Sequence, residues 1–281
     1  MQWRGRRQSS NIQDRRGGGG GMIRPAGFGG VGLLIVVLIG MFFGVDLTPL
    51  MTGGGPEVTR EAPSGPNQID DAQEEFVSVI LAENEDVWNA LFQQSSLEYA
   101  EPQLALFTGA TSSACGFAQS AMGPFYCPND QTVFLDMDFF RVMESQLGSR
   151  GDFAKAYVIA HEVGHHVQDE LGLLAQVNAQ RSRMGERQSN ELSVRTELQA
   201  DCYAGVWANS VRDRLQLTED DIRSALDTAA RIGDDALQQA SQGRVVPDSF
   251  THGTSEQRQA WFHRGFKTGD PDQCDTFSGR I

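Results

Sequence analysis

The stretch Phe153-Ala154-Lys155-Ala156-Tyr157-Val158-Ile159-Ala160-His161-Glu162-Val163-Gly164-His165-His166-Val167-Gln168 decides how the rest of the chain is read. Positions 153, 157, 160, 164 and 167, continuing to Leu171 and Leu174, step by three and four. That spacing predicts a helix over 153–171 buried along one face, with Gly172 ending it. His161 and His165, four residues apart, project from one side of such a helix, one turn apart. Two imidazole nitrogens so placed reach one ion at about 2.0–2.1 Å. Glu162 sits between them and is placed to take a proton from a water. With five His and sixteen Glu in 281 residues, chance placement of H-E-x-x-H gives about 0.005 expected occurrences. The alternative is a pair of solvent-facing histidines. His166 lies about 100° further round the helix and reads as a packing residue.

A catalytic zinc takes three protein ligands and keeps one position open. Glu197, in Glu197-Leu198-Gln199-Ala200-Asp201, is the candidate third ligand. Asp201, one turn on, is the candidate acceptor for the second N–H of a ligand histidine, which would fix its tautomer. The alternative is an exposed acidic helix face. His252 lies in Phe250-Thr251-His252-Gly253-Thr254, with Arg258 six residues on. Either could supply a donor to the carbonyl oxygen of a reacting amide, or the segment is a helix-capping loop. His263, beside Trp261 and Phe262, reads as structural.

Net charge is −14, and it is unevenly placed. The first 27 residues carry six arginines and one acid, so they are at +5 and the remainder is at −19. A body that acidic repels phosphate backbones and argues against a nucleic-acid partner. Residues 25–45 are uncharged and 28–45 read FGGVGLLIVVLIGMFFGV. Such a run predicts one transmembrane helix, since about 21 residues rise roughly 31 Å. Arginines before it and Asp46 after it place the N-terminus in the cytoplasm and the body outside. A cleaved signal peptide is the alternative, but Val45-Asp46-Leu47-Thr48-Pro49 offers no small-x-small site. Residues 1–27 then read as a basic, disordered cytoplasmic head, 28–45 as the anchor, 46–69 as a flexible Gly/Pro linker, and 70–281 as the catalytic domain. Cys115, Cys127, Cys202 and Cys274 all follow the anchor, and an even count in an exported domain permits two disulfides. Cys115 with Cys127 is favoured because the two flank a short loop, leaving Cys202 with Cys274; four reduced, buried cysteines are the alternative.

Along the body, apolar spacing predicts helices over 70–94 and 191–213, one starting at Thr218, and a last one over 255–266. Short apolar runs at 103–108 and 132–136, with a third around 124–127, predict strands. Segment 178–190 fits a loop or a continued helix. The expected class is α+β, mostly helical, with a small sheet ahead of the histidine helix.

The segments MQWRGRRQSSNIQDRRG, CGFAQSAMGPFYCPNDQTVFLD, HEVGHHVQ, ELQADCYAG and HGTSEQRQAWFHRGF resemble the bacterial membrane-anchored neutral zinc metallopeptidases over almost the whole chain. That resemblance implies a zincin-like domain holding one Zn2+. A more distant similarity is to membrane peptidases of the prenyl-protein-processing and heat-shock type. These pair HExxH with a later ExxxD, as Glu197 and Asp201 stand here, and carry a His with an Arg six residues on, as His252 and Arg258 do. This chain departs from them in having one apparent span. The expected mechanism has zinc on His161, His165 and Glu197 activating a water, Glu162 as the base, and His252 with Arg258 stabilising the oxyanion. The expected partner is a peptide or protein substrate, paired with a strand near 132–136. Hydrolysis of a non-peptide amide such as a cell-wall fragment, or a metal-binding scaffold without turnover, are the alternatives.

Overall fold

In the computed structural model, residues 1–16, 71–119, 123–145, 148–149 and 151–281 are described. The expected anchor and linker, 28–45 and 46–69, lie outside them. Among the described residues no helix is long and apolar enough to cross a membrane.

Helix α1 (Ala72–Gln94) starts where the Asp71 side chain accepts from the Gln73 and Glu74 amides, satisfying two of the orphan donors of its first turn. Three parallel strands follow the order β1 (Ile12–Asp14), β2 (Gln103–Phe107) and β6 (Thr132–Asp136), and β5 (Phe125–Cys127) pairs antiparallel on the outer side of β6. Strands β2 and β6 are buried along nearly their whole length, which is why each reads as a continuous apolar run. A separate hairpin, β3 (Ala110–Ser113) with β4 (Gly116–Gln119), projects between them in sequence. Helix α2 (Met137–Ser145) leads to α3 (Asp152–Glu170), the histidine helix. Gly172, left-handed at φ 71°, turns the chain into α4 (Leu173–Arg181). The segment 178–190 therefore divides: helix to Arg181, then a break before α5 (Glu186–Val211). Beyond it come α6 (Glu219–Arg231), opened by a Thr218/Asp221 capping box, α7 (Asp234–Gln242) and α8 (Ser255–Thr268).

The core is a helical stack in which α3 and α8 pack on α5. Glycine sets how closely α5 and α8 approach. A Cβ on Gly265 would overlap the Cys202 carbonyl, and one on Gly205 would overlap the Phe262 carbonyl. Phe153, Tyr157, Trp207 and Phe262 fill the space beside this crossing, all of them fully buried. Gly265→Ala is expected to destabilise the fold by about 1–3 kcal/mol or more, as overpacking does; urea unfolding measures it.

Of the expected disordered head, residues 1–16 are folded, and 17–27 lie outside the described residues. Strand β1 hydrogen-bonds along β2, with Ile12 opposite Leu104 and Asp14 opposite Leu106. Trp3 is 4% exposed, donates to Asp152 at 2.8 Å, and meets the Phe76 ring edge-on. The arginines that suggested disorder have partners on the body. Arg6 pairs with Glu83 at 3.1 Å, Arg7 with Glu85 at 2.9 Å, and Arg16 with Glu74 at 3.1 Å. Those three glutamates lie on buried positions of α1, where a carboxylate needs a cation. Residues 1–16 thus belong to the same folded body as 71–281, and Arg16 ends 2.5 Å from Asp71.

Candidate metal centre

Gly164 of α3 faces Ala200 of α5, where an added Cβ would stand 3.1 Å from the Ala200 carbonyl oxygen. The absence of a side chain there lets the two helices meet between the paired groups His161/His165 and Glu197/Asp201. The Nε2 atoms of His161 and His165 lie 3.1 and 3.5 Å from the two oxygens of Glu197. A tetrahedral ion at about 2.1 Å from each ligand separates its ligands by about 3.4 Å, so the three groups fit zinc. They form the one cluster among the described residues able to hold a metal by this criterion, with donor atoms within 4.8 Å of one another. Two imidazoles and one carboxylate are the donor set of a catalytic zinc with a position left open.

Burial and charge set the protonation of the site. His161 Nδ1 lies 2.8 Å from Asp201 Oδ1. Burial disfavours the His161 charge, but Asp201 and Glu197 outweigh it and raise the imidazolium pKa to about 10 in the metal-free chain. His165 is raised in the same sense, burial being outweighed by Glu197. Glu197 is held well below the usual carboxylate range, since the histidine charges of His165, His252 and His161 overcome its burial. Glu162 moves the other way: it is 7% exposed, and burial raises it against the opposing pull of the histidines. Stability from the His161 charge is therefore present below its unfolded pKa of 6.5 and lost as pH rises through about 10. Zinc must displace that proton, so its uptake at pH 7.5 is expected to release about one proton or more per ion. Calorimetry in buffers of different ionisation enthalpy counts it.

Asp201 is the hub of the support behind His161, and Arg258 belongs to it. Arg258 Nε donates to Asp201 Oδ2 at 2.8 Å and Nη2 to Oδ1 at 3.0 Å, while Nη1 donates to the Ile232 carbonyl at 3.3 Å. The Tyr157 hydroxyl donates to Asp201 Oδ1 at 2.5 Å. Burial raises Asp201, but Arg258 and His161 win and hold it at about 2. At 3% exposure, with all three guanidinium nitrogens engaged inside the protein, Arg258 clamps Asp201. Arg258→Met takes the guanidinium from a buried carboxylate that keeps only His161 and Tyr157, and a loss of up to about 3–5 kcal/mol is expected in urea unfolding.

His252 interacts electrostatically with Glu197 of the cluster. The amides of Thr251, His252 and Gly253 all donate to Asp234 Oδ2, at 2.7–3.0 Å, which fixes the loop that carries it. His166 points away from the metal ligands: its Nε2 donates to the Ala100 carbonyl at 2.6 Å and its Nδ1 meets the Tyr126 hydroxyl at 3.0 Å. His263 lies exposed on α8. Both disulfides form as expected, Cys115–Cys127 and Cys202–Cys274, the latter directly after Asp201. Tyr157 and Gln168 escaped the sequence reading. Each stands one helical turn from a ligand, at His161 minus four and His165 plus three, and that spacing was the signal available for both.

The chain is similar to YpfJ of Escherichia coli strain K12, itself uncharacterized, at 50% identity over 288 residues covering all of both chains. It is also similar to the uncharacterized protein Rv2575 of Mycobacterium tuberculosis strain H37Rv, at 48% identity over 191 residues covering 64% of each. No solved structure matches it. Residues 1–277 match the model of the family described as "Putative neutral zinc metallopeptidase", so motif, metal geometry and near-complete coverage agree, and the chain belongs to that family.

Proposed function

We propose that the chain is a zinc-dependent peptidase that hydrolyses peptide bonds with Glu162 as general base. The observation that carries this is the convergence of His161, His165 and Glu197 beside Glu162, a buried carboxylate on the helix of the two histidines. A bound zinc supplies Lewis acidity, lowering the pKa of a water and polarising the scissile carbonyl. Glu162 accepts the water's proton and returns it to the leaving amine. Its raised pKa suits both steps, because a carboxyl closer to neutral gives and takes a proton more evenly. Asp201, held by Arg258 and Tyr157, keeps His161 turned toward the metal position. His252 is the candidate donor to the oxyanion.

The substrate strand is reassigned. Strand β6, expected to pair with it, is interior, bonded to β2 on one side and β5 on the other. Strand β5 is the edge next to β6, β1 being the other, and Tyr126 at its centre donates to Asp169 of α3 at 2.9 Å, tying that edge to the metal-bearing helix. An extended peptide adding to β5 is the reading this supports.

We place residues 1–16 and the body together in an oxidising, extracytoplasmic compartment. Two disulfides favour an oxidising compartment, and the packing of β1 into the body's sheet favours a shared side. The deciding experiment incubates the purified full-length protein with a proteome-derived peptide library. Cleavage that chelation abolishes and zinc restores supports the peptidase. Turnover of cell-wall amides alone, or zinc binding with no turnover, overturns it. Glu197→Ala is expected to lose zinc and activity together, and full activity in that variant would sink the ligand set.

A further inference from the structure

Gln168 is fully buried three residues after His165, and every polar atom of its amide is engaged. Which end of that amide faces His165 follows from groups that can only accept. Nε2 of Gln168 lies 2.7 Å from the Thr196 carbonyl, which forces nitrogen to that end. The same nitrogen meets Gln199 Oε1 at 3.0 Å. Gln199 is oriented in turn, because its Nε2 donates to the Cys274 carbonyl at 3.0 Å. Two main-chain carbonyls therefore fix two amides in series, and Gln168 presents oxygen to His165 Nδ1 at 2.9 Å.

We propose that Gln168 is a positioning residue for the metal centre, holding His165 with its proton on Nδ1 and its Nε2 lone pair toward the ion. This rests on the zinc reading above and adds a residue to it. The two ligand histidines are then supported differently. His161 leans on an ionised carboxylate, which strengthens its donation to the metal; His165 leans on a neutral amide, which fixes the ring without adding charge. Asp201 and Gln199 flank the contact of α5 with α3, so both supports come from the helix that also carries Glu197. The outer end of the Gln168 relay is Cys274, which the Cys202–Cys274 disulfide pins to α5 one residue beyond Asp201. A buried amide with fixed donors also cannot rotate to present nitrogen to His165, so binding through Nδ1 is disfavoured from the same side.

Nitrogen-15 NMR of the zinc-loaded full-length protein, labelled at histidine, reads the assignment directly. The expected spectrum has His165 Nδ1 protonated and slow to exchange, with Nε2 metal-bound. Gln168→Met is expected to weaken zinc 10–100-fold, the usual cost of removing a partner behind a ligand, in competition with a chromophoric chelator, and to speed exchange of the Nδ1 proton. Gln168→Glu keeps an oxygen toward His165 but sets its other oxygen against the Thr196 carbonyl, so it is expected to recover only part of that affinity, with that oxygen protonated. Zinc bound through Nδ1 of His165, or a folded Gln168→Met with unchanged affinity and exchange, overturns the inference. If Gln168→Met does not fold, the wild-type spectrum and Gln168→Glu decide. A wild-type chain that takes up no zinc fails the peptidase reading itself, and this inference with it.

Discussion

Glu162→Gln is expected to lower kcat/KM by about 10²–10⁴, the range of general acid–base catalysis, while zinc content stays at one ion per chain. The substitution keeps shape and one acceptor oxygen but removes the group that takes and returns the proton. It should not harm the fold, and here the burial of Glu162 is informative. Its charge is disfavoured by burial and only partly compensated by the histidines, so a neutral amide relieves a cost that folding alone would not retain. Thermal unfolding of the zinc-loaded variant should therefore match or exceed wild type. Loss of activity with loss of zinc would mean that Glu162 is structural. Retained activity would mean that another base serves. Glu197→Ala is the natural companion, because it should lose metal and rate together, and the two variants separate binding from chemistry.

Much of the site was legible because its information is local. His161, Glu162 and His165 sit within five residues, and helical spacing alone puts the two histidines on one side. Glu197 and Asp201 repeat the same geometry on α5, and Asp201 meets His161 as their spacing suggested. Both disulfides followed from cysteine number and loop length. What was not legible depends on contacts between distant segments. Arg258 stands six residues after His252, a spacing that says nothing of where a guanidinium points; its fork onto Asp201 is set by the crossing of α8 over α5, which two glycines allow. Strand β1 is three residues with a single large apolar side chain, Ile12, and takes its strand character from β2 beside it. The hairpin β3–β4, ATSS with GFAQ, has little apolar alternation to detect. Strand β6 lies at the bounds its apolar run predicts, but only the sheet order reveals that it is interior and β5 an edge.

The largest all-or-none effect concerns the N-terminal segment. Gln13→Cys with Gln103→Cys is expected to cross-link in intact cells, because the two side chains meet at 3.4 Å across β1 and β2. Both sites are half-buried and polar, so the substitutions should cost little stability. The four native cysteines are paired, and no free thiol is present among the described residues, so a short bismaleimide would report only the new pair. A protease site inserted within 46–69 then allows the chain to be cut, and the N-terminal fragment should remain attached to the body on a denaturing gel. If residues 1–16 lay across a membrane from the body, no fragment would be retained, and the two thiols would label from opposite sides. The energetics oppose that arrangement. Withdrawing the head exposes Trp3 and Ile12, at about 1.5–3 kcal/mol for each buried side chain. It also strands Glu85, buried on α1, without the arginine that faces it, and a buried charge that loses its partner costs about 3–5 kcal/mol. A body of marginal stability, about 5–15 kcal/mol in total, cannot give up that sum and keep α1 in place. Because α1 packs against the histidine helix, the metal centre would loosen with it, which makes the compartment of sixteen N-terminal residues a condition for activity.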